Sequence, residues 1–434
     1  MNVSTRQQRI AELARRSPKM CFTALNHHLD IDWLQESYGR LRKNSAPGVD
    51  GQTVAEYGER LNANLKSLLD RAKSGSYFAP PVKRVHIPKD ISGKETRPIG
   101  IPATEDKLLQ RAVVMVLEPI YEQDFLDCSY GFRPGRSAHN ALAALWQQCM
   151  SQKVRYILDL DIRKFFDTLD RAHLREFLQY RVRDGVITRL IGKWLKAGVM
   201  EQGILHLPKY GTPQGGSISP LLSNVYLHHV LDQWFEYQVK PRMRGGAFMV
   251  RFADDAVLGF TSKEDAEKVL AVLPKRFGRL GLSLHPEKTC LVPFGRPCKG
   301  DRKGATTFDF LGFTHYWGKS RRGNWVIKRK TARKRLNRSL KQVAKWCRLN
   351  RHQPVELQHK KLSQKLQGHY AYFGITGNVG WLQIFYHGTL KLWRKWLHRR
   401  GGKNPMPWVK FEQLKGRYPL PPARVVHSIY VAKP

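Results

Sequence analysis

A chain of 434 residues that sets 75 Lys and Arg against 35 Asp and Glu carries a formal charge of +40. An excess of that size repels itself unless a polyanion neutralises it, so nucleic acid is the expected partner. An apolar content of 41% excludes a disordered basic tail and predicts a large core divided among two or three domains. The six cysteines form no C-x-x-C pair, which speaks against a zinc ribbon or a disulfide framework. No apolar run approaches the ~20 residues of a membrane span, and the N-terminus has no secretory signal. The expected location is the cytoplasm, with no membrane partner.

Residues 1–45 read as helical, with Ile10, Leu13, Leu34 and Leu41 as candidate core. Ala46-Pro47-Gly48-Val49-Asp50-Gly51 is a loop signal, and an amphipathic helix carrying Val54, Leu61, Leu65 and Leu68 follows it. Residues 77–102 alternate apolar and basic side chains around a Gly-containing turn, the pattern of a β-hairpin with Lys89, Lys94 and Arg97 among its cations. A solvated basic face is the plain reading of them. Residues 104–123 predict a helix ending near Pro119. The loop 129–139 then brings together Arg133, Arg136, two glycines and two aromatics. These suit contact with a nucleic-acid backbone, and they equally suit local capping or pairing. A helix to about Met150 follows.

Two β-like runs carry acids. Residues 156–167 place Asp161 at the end of an apolar strand, followed by Phe165, Phe166 and a helix-like segment through Leu178. Residues 248–260 read as strand, tight turn, strand, with Asp254 and Asp255 at the bend. Alone, the pair is also what a solvated Asp-Asp turn looks like. Two adjacent anions in an apolar hairpin otherwise need compensating cations, and hard oxygen ligands suit magnesium. A carboxylate at one strand end and a pair on a neighbouring hairpin can hold two metal ions for phosphoryl transfer.

Between these runs, Gly211-Thr212-Pro213-Gln214-Gly215-Gly216-Ser217-Ile218-Ser219-Pro220 predicts a close-approach loop. Ser217 or Ser219 is expected to cap a helix through Leu231. A helix over 263–279, a loop and strand around Lys288, and a short apolar strand over 308–313 come next. Residues 321–434 hold 27 Lys and Arg against two acids, Glu356 and Glu412. Three helices are expected there, with apolar stripes 336/340/343/347, 362/366/370/373 and 382/385/390/393/397. The first exposes Arg333, Lys334, Arg335 and Arg338.

Asp161-Ile162-Arg163-Lys164-Phe165-Phe166-Asp167 together with Phe252-Ala253-Asp254-Asp255 resembles the palm of reverse transcriptases, specifically the group II intron reverse transcriptase/maturase family. The order of the Asp161, Gln214, Asp254-Asp255 and Lys288 motifs fits it, and the likeness covers residues 47 to about 396. It implies an α+β right hand: N-terminal extension and fingers over 1–130, palm with part of the fingers over 131–320, and a basic helical thumb/maturase region over 321–434.

The resemblance makes Asp161, Asp254 and Asp255 catalytic. They would ligate two Mg2+ ions with the help of Ile162, and Lys288 would be the acid for the pyrophosphate leaving group. Lys89 or Lys94, Arg97, Phe166, Gln214 and Gly215 would bind the dNTP, with the Phe166 ring excluding a 2′-hydroxyl. Arg133, Arg136, Arg333, Lys334, Arg335 and Arg338 would contact nucleic acid. Lys288 as a surface lysine and Phe166 as a core residue remain the plain alternatives. Partners would be group II intron RNA or another RNA template, a DNA primer or target, and dNTPs. A splicing-only RNA-binding protein and a related polymerase used in host defence or repair are the competing functions. Phe252 stands where most of the family has Tyr. No paired cysteines or His-Asn-His cluster follow the helical region, so an endonuclease domain is expected to be absent and any DNA-binding domain very short. A mobile element of this kind would need a ready-made primer.

Overall fold

The computed structural model describes residues 2–88, 96–201, 203–207, 211, 215–297, 306–400 and 406–428. It divides into two compact units: Met1–Ile87, Thr96–Ala144 and Arg155–Leu291 in the first, and Pro88–Glu95, Leu145–Val154 and Val292–Pro434 in the second. Among the described residues, no helix is long and apolar enough to cross a membrane.

In the first unit, helices Val3–Arg16 and Ile31–Gly39 pack on the long helix Thr104–Asp124. The first buries Val3, Ile10 and Ala14, which leaves Leu13, expected in the core, 51% exposed. The long helix passes through Pro119 rather than ending there. Proline has no N–H to give the carbonyl four residues back. That carbonyl, of Met115, instead accepts from Gln7 Nε2 at 2.8 Å, so the long helix loses no buried bond. The single helix expected after the Pro-Gly loop is two, Val54–Glu59 and Leu61–Ser74, broken at Arg60. A capping box between Thr53 and Glu56 starts the first of them.

Two sheets follow from the alternating runs. Strands β1 (Val82–Pro88), β2 (Thr96–Ile101), β4 (Val199–Glu201) and β5 (Ile204–His206) form one, in the order β2-β1-β4-β5. Strands β3 (Tyr156–Asp161), β6 (Ala247–Phe252), β7 (Asp255–Phe260) and β8 (Cys290–Pro293) form the other, in the order β6-β7-β3-β8. Its apolar face is covered by helix Lys263–Arg279, capped by Ser262, which packs on β3 and β7. The helix after the Gly-Gly loop starts at Ser219 and continues past Leu227 in π-helical turns to Val239. Its cap position is Ile218, so neither Ser217 nor Ser219 caps it; Ile218 N–H points to Gln110 Oε1 at 3.5 Å.

The second unit holds an antiparallel sheet of β9 (Phe308–Phe310), β10 (Phe313–Lys319) and β11 (Trp325–Thr331), in the order β11-β10-β9. Residues 308–313, expected as one strand, reverse at Leu311 and Gly312, both with positive φ. Helices Arg333–Leu349, Val355–Phe373 and Val379–His398 bury the foreseen stripes in a separate core. A fourth, unforeseen helix, Trp408–Arg417, contributes Phe411 to it.

Candidate active site

The hairpin β6–β7 turns on two residues, Ala253 and Asp254, because Phe252 pairs with Asp255 across it. Ala253 takes φ 57° at the first turn position, where glycine is usual. A side chain in this left-handed region costs about 1 to 3 kcal/mol, and it persists only where the surroundings fix it. Here the surroundings are explicit. Arg251, 0% exposed, donates to the Ala253 carbonyl at 2.9 Å. The same guanidinium binds both oxygens of buried Asp232 at 2.7 and 2.6 Å, Asn224 Oδ1 at 3.1 Å and Ser129 Oγ at 2.8 Å. Burial opposes its charge, yet Asp232 holds its pKa above the ordinary arginine value.

The segment 128–131 lies along the outer edge of β6. Arg251 N–H donates to Cys128 O at 2.7 Å and Tyr130 N–H to Arg251 O at 2.9 Å, so this edge is covered. Gly131 sits so close under the turn that a Cβ there would collide with Ala253 N. Asn224 Nδ2 donates to the Gly131 carbonyl at 2.7 Å and locks that approach.

Asp161 and Asp255 are partners in the β3–β7 register. Directly opposed residues project from the same face of an antiparallel pair, so the two carboxylates share a face, beside Asp254 at the turn. Asp255 is exposed, and Asp161 and Asp254 are half-buried. On its other side Asp161 meets the segment 284–289. His285 N–H donates to Asp161 O at 2.9 Å, Arg163 N–H donates to Ser283 O at 2.8 Å, and Ile162 pairs with Leu284 between them. Carbonyls alternate along a strand, so the Ile162 carbonyl points to the β7 side, where the acids are. Lys288 Nζ lies 3.2 Å from Asp161 Oδ2. Three acids, a backbone carbonyl and a lysine are thus brought to this site from three separate stretches of sequence.

The other candidates distribute as follows. Phe166 is half-buried after β3, edge-on to the fully packed Phe165 at 5.3 Å between centroids. Arg97 is exposed on β2. Gly215, with φ 107°, lies against the same strand, where a Cβ would strike the Gly100 carbonyl oxygen. Lys89, Lys94 and Gln214 lie outside the described residues.

Arg133 pairs locally instead of facing template. It is 6% exposed, it grips Glu122 at 2.9 to 3.1 Å, and it donates to the carbonyls of Leu126 and Ser129. Arg136 is tied to the Asp127 carboxylate at 2.6 Å and lies over the Tyr130 ring. Arg333, Lys334 and Arg335 are exposed and Arg338 half-exposed on their helix in the second unit. Sequence reasoning missed Arg251, Asp232 and Asn224. The signal was there: an arginine between Val250 and Phe252 in an otherwise apolar strand requires a buried acid.

Residues 87–315 match the family of reverse transcriptases (RNA-dependent DNA polymerases). The group II intron-encoded protein LtrA of Lactococcus lactis subsp. cremoris is 37% identical over 241 residues, which is 54% of this chain and 39% of LtrA. This chain belongs to the group II intron reverse transcriptase/maturase family. As a member it is an RNA-directed DNA polymerase, and the sheet bearing the three acids lies within its matched polymerase region. Protein YkfC of Escherichia coli (strain K12) is 34% identical over 327 residues, covering 67% of this reverse transcriptase and 84% of YkfC. The mitochondrial nuclear intron maturase 2 of Arabidopsis thaliana is 25% identical over 229 residues, 44% of this chain and 29% of the maturase.

Proposed function

We propose that the chain copies RNA into DNA by two-metal phosphoryl transfer at Asp161, Asp254 and Asp255, and that it binds its intron RNA to assist splicing and mobility. The observation that carries the reading is the grouping of the three acids with Lys288 at one end of the central strands β7 and β3, beside a turn fixed by Arg251. Among the described residues no three His, Cys, Asp or Glu side chains form a ready-made cage. Magnesium keeps waters and takes one or two carboxylates together with substrate phosphates. The donors are hard oxygens, and Asp161 already accepts a cation in Lys288.

Asp161 and Asp254 would hold the ions with the Ile162 carbonyl, and Asp255 would support one of them. Bound magnesium supplies charge stabilisation to the attacking and leaving oxygens of the transfer. Lys288, a step from Asp161, keeps a proton for the departing pyrophosphate. Arg97 and Gly215, on and against β2, would hold the triphosphate together with Gln214 and Lys89 or Lys94. Phe166 would lie under the sugar. In this reading the residues up to about 130 are N-terminal extension and fingers, 131–320 palm with part of the fingers, and 321–434 thumb and maturase surface.

The helix Arg333–Leu349 supports a polyanion on that surface. It opens with Arg333, Lys334 and Arg335 and has no acid in its first turn. Cations at a helix N-terminus cost about 0.3 to 1 kcal/mol each, a cost that bound phosphate removes. The work would take place where intron transcripts are made, inside the cell.

The test is extension of a DNA primer on an RNA template by the purified chain, and excision of an intron RNA with and without it. Magnesium-dependent incorporation of dNTPs, and faster excision of the cognate intron, are expected. A pure, folded chain that extends no primer would leave a splicing protein.

A further inference from the structure

The second unit contains a hollow of about 800 Å³ lined by β10, β11 and Trp146. Trp146 and Tyr316 supply aromatic walls, and Arg321, Arg322, Lys328 and Arg329 supply four cations. Among the described residues no carboxylate lines it. Arg329 is the unusual member. It is 3% exposed, and its Nη2 is buried without a hydrogen-bond partner among the described residues. Its cross-strand neighbour is His315, whose pKa burial and Arg329 push down to about 3, so that ring is neutral. Burial likewise pushes Arg329 itself down to about 10.

A buried guanidinium nitrogen left without an acceptor is costly, and native proteins seldom keep one without a use. A phosphate is the ligand that matches a planar donor fork with no competing acid. The aromatic walls add a second requirement. Trp146 is fixed by its Nε1 bond to Ile327 O at 3.0 Å, so its ring is a rigid platform. A base stacks on such a ring whatever its identity. Size supplies the third constraint. A double helix cannot enter a hollow of about 800 Å³, whereas one nucleotide drawn out of its strand can.

We propose that this hollow takes one unstacked nucleotide of a nucleic-acid single strand, its phosphate toward Arg329 with Arg321 and Arg322 at the mouth, and its base against Trp146 and Tyr316. The proposal rests on the reading of the chain as a nucleic-acid polymerase, and it adds a single-strand subsite within the second unit.

The experiment titrates the full chain with fluorescein-labelled ten-nucleotide single strands, one of RNA and one of DNA, over a range of salt. Arg329→Met removes the charge at nearly constant volume. Trp146→Leu removes the platform. Arg321→Ala with Arg322→Ala alters exposed residues whose loss does not endanger folding. Each lost phosphate contact should flatten the logarithmic salt dependence by about 0.7, and loss of the platform should weaken binding roughly fivefold to a hundredfold. A loss confined to the RNA strand, or to the DNA strand, identifies which one supplies the nucleotide. Wild-type affinity and salt slope for both strands in all three folded variants would overturn the subsite while leaving the polymerase reading intact. A wild-type chain that binds neither strand and extends no primer would overturn both.

Discussion

Arg251 and Asp232 form an ion pair at 2.6 Å with both side chains wholly buried, directly beneath the turn that carries Asp254. The pair does not reach the reacting atoms; it holds the Ala253 carbonyl and so the shape of the turn. Arg251→Met strands the Asp232 charge and should destabilise the first unit by about 3 to 5 kcal/mol, read from denaturant melts. Removing both charges with Arg251→Met and Asp232→Leu should restore most of that stability but not extension, because Ala253 still lacks its donor. Full extension by the stable double variant would show that the turn needs no such anchor.

Phe166 is half-buried, with one flank on Phe165. Phe166→Ala should leave dNTP incorporation measurable and raise ribonucleotide incorporation by an order of magnitude or more, as removal of a steric gate requires. The assay is single-nucleotide extension with dNTP or rNTP. Undiminished selectivity for dNTPs would make Phe166 a packing residue.

Asp106 is buried and receives bonds from the Tyr77 hydroxyl and from Trp194 Nε1, the latter at 3.1 Å. Burial pushes its pKa up to about 7. The folded state therefore keeps a proton that the unfolded chain releases near pH 4. This group's contribution to stability is complete below about pH 4 and is lost as pH rises to about 7. Asp106→Asn should flatten the stability profile across that window and raise the melting temperature at neutral pH. An unchanged profile would mean that Asp106 is ionised in the fold.

Arg333, Lys334, Arg335 and Arg338 leave the helix Arg333–Leu349 without a counter-charge in its first turn. Replacing all four with Gln should flatten the salt dependence of binding to structured RNA, by about 0.9 for each duplex phosphate lost. Extension should recover in part at saturating primer–template. A folded variant with wild-type slope and affinity would make these residues solvated surface.

Much of this arrangement was legible in the sequence. The apolar, β-favouring arms around Asp254 and Asp255 required a hairpin, and the stripes at 336–347 and 382–397 required buried helix faces. What escaped depended on distant partners. The helix through Pro119 survives because Gln7 happens to reach Met115 O. Arg133, read as a candidate for phosphate, is held by Glu122 eleven residues away. Leu311 and Gly312 reverse a run that, apart from Asp309, is apolar and reads as one strand. Local pattern gave the elements, and long-range polar pairing decided which charges remain free for a ligand.

The most direct measurement of the central claim is primer extension on an RNA template by Asp254→Ala in magnesium, beside its affinity for the same RNA. Extension should fall by at least three orders of magnitude while RNA affinity stays within about twofold, because Asp254 would hold metal and most of the basic surface lies elsewhere. Appreciable magnesium-dependent extension by this variant would contradict the assignment of the β6–β7 turn as the catalytic centre.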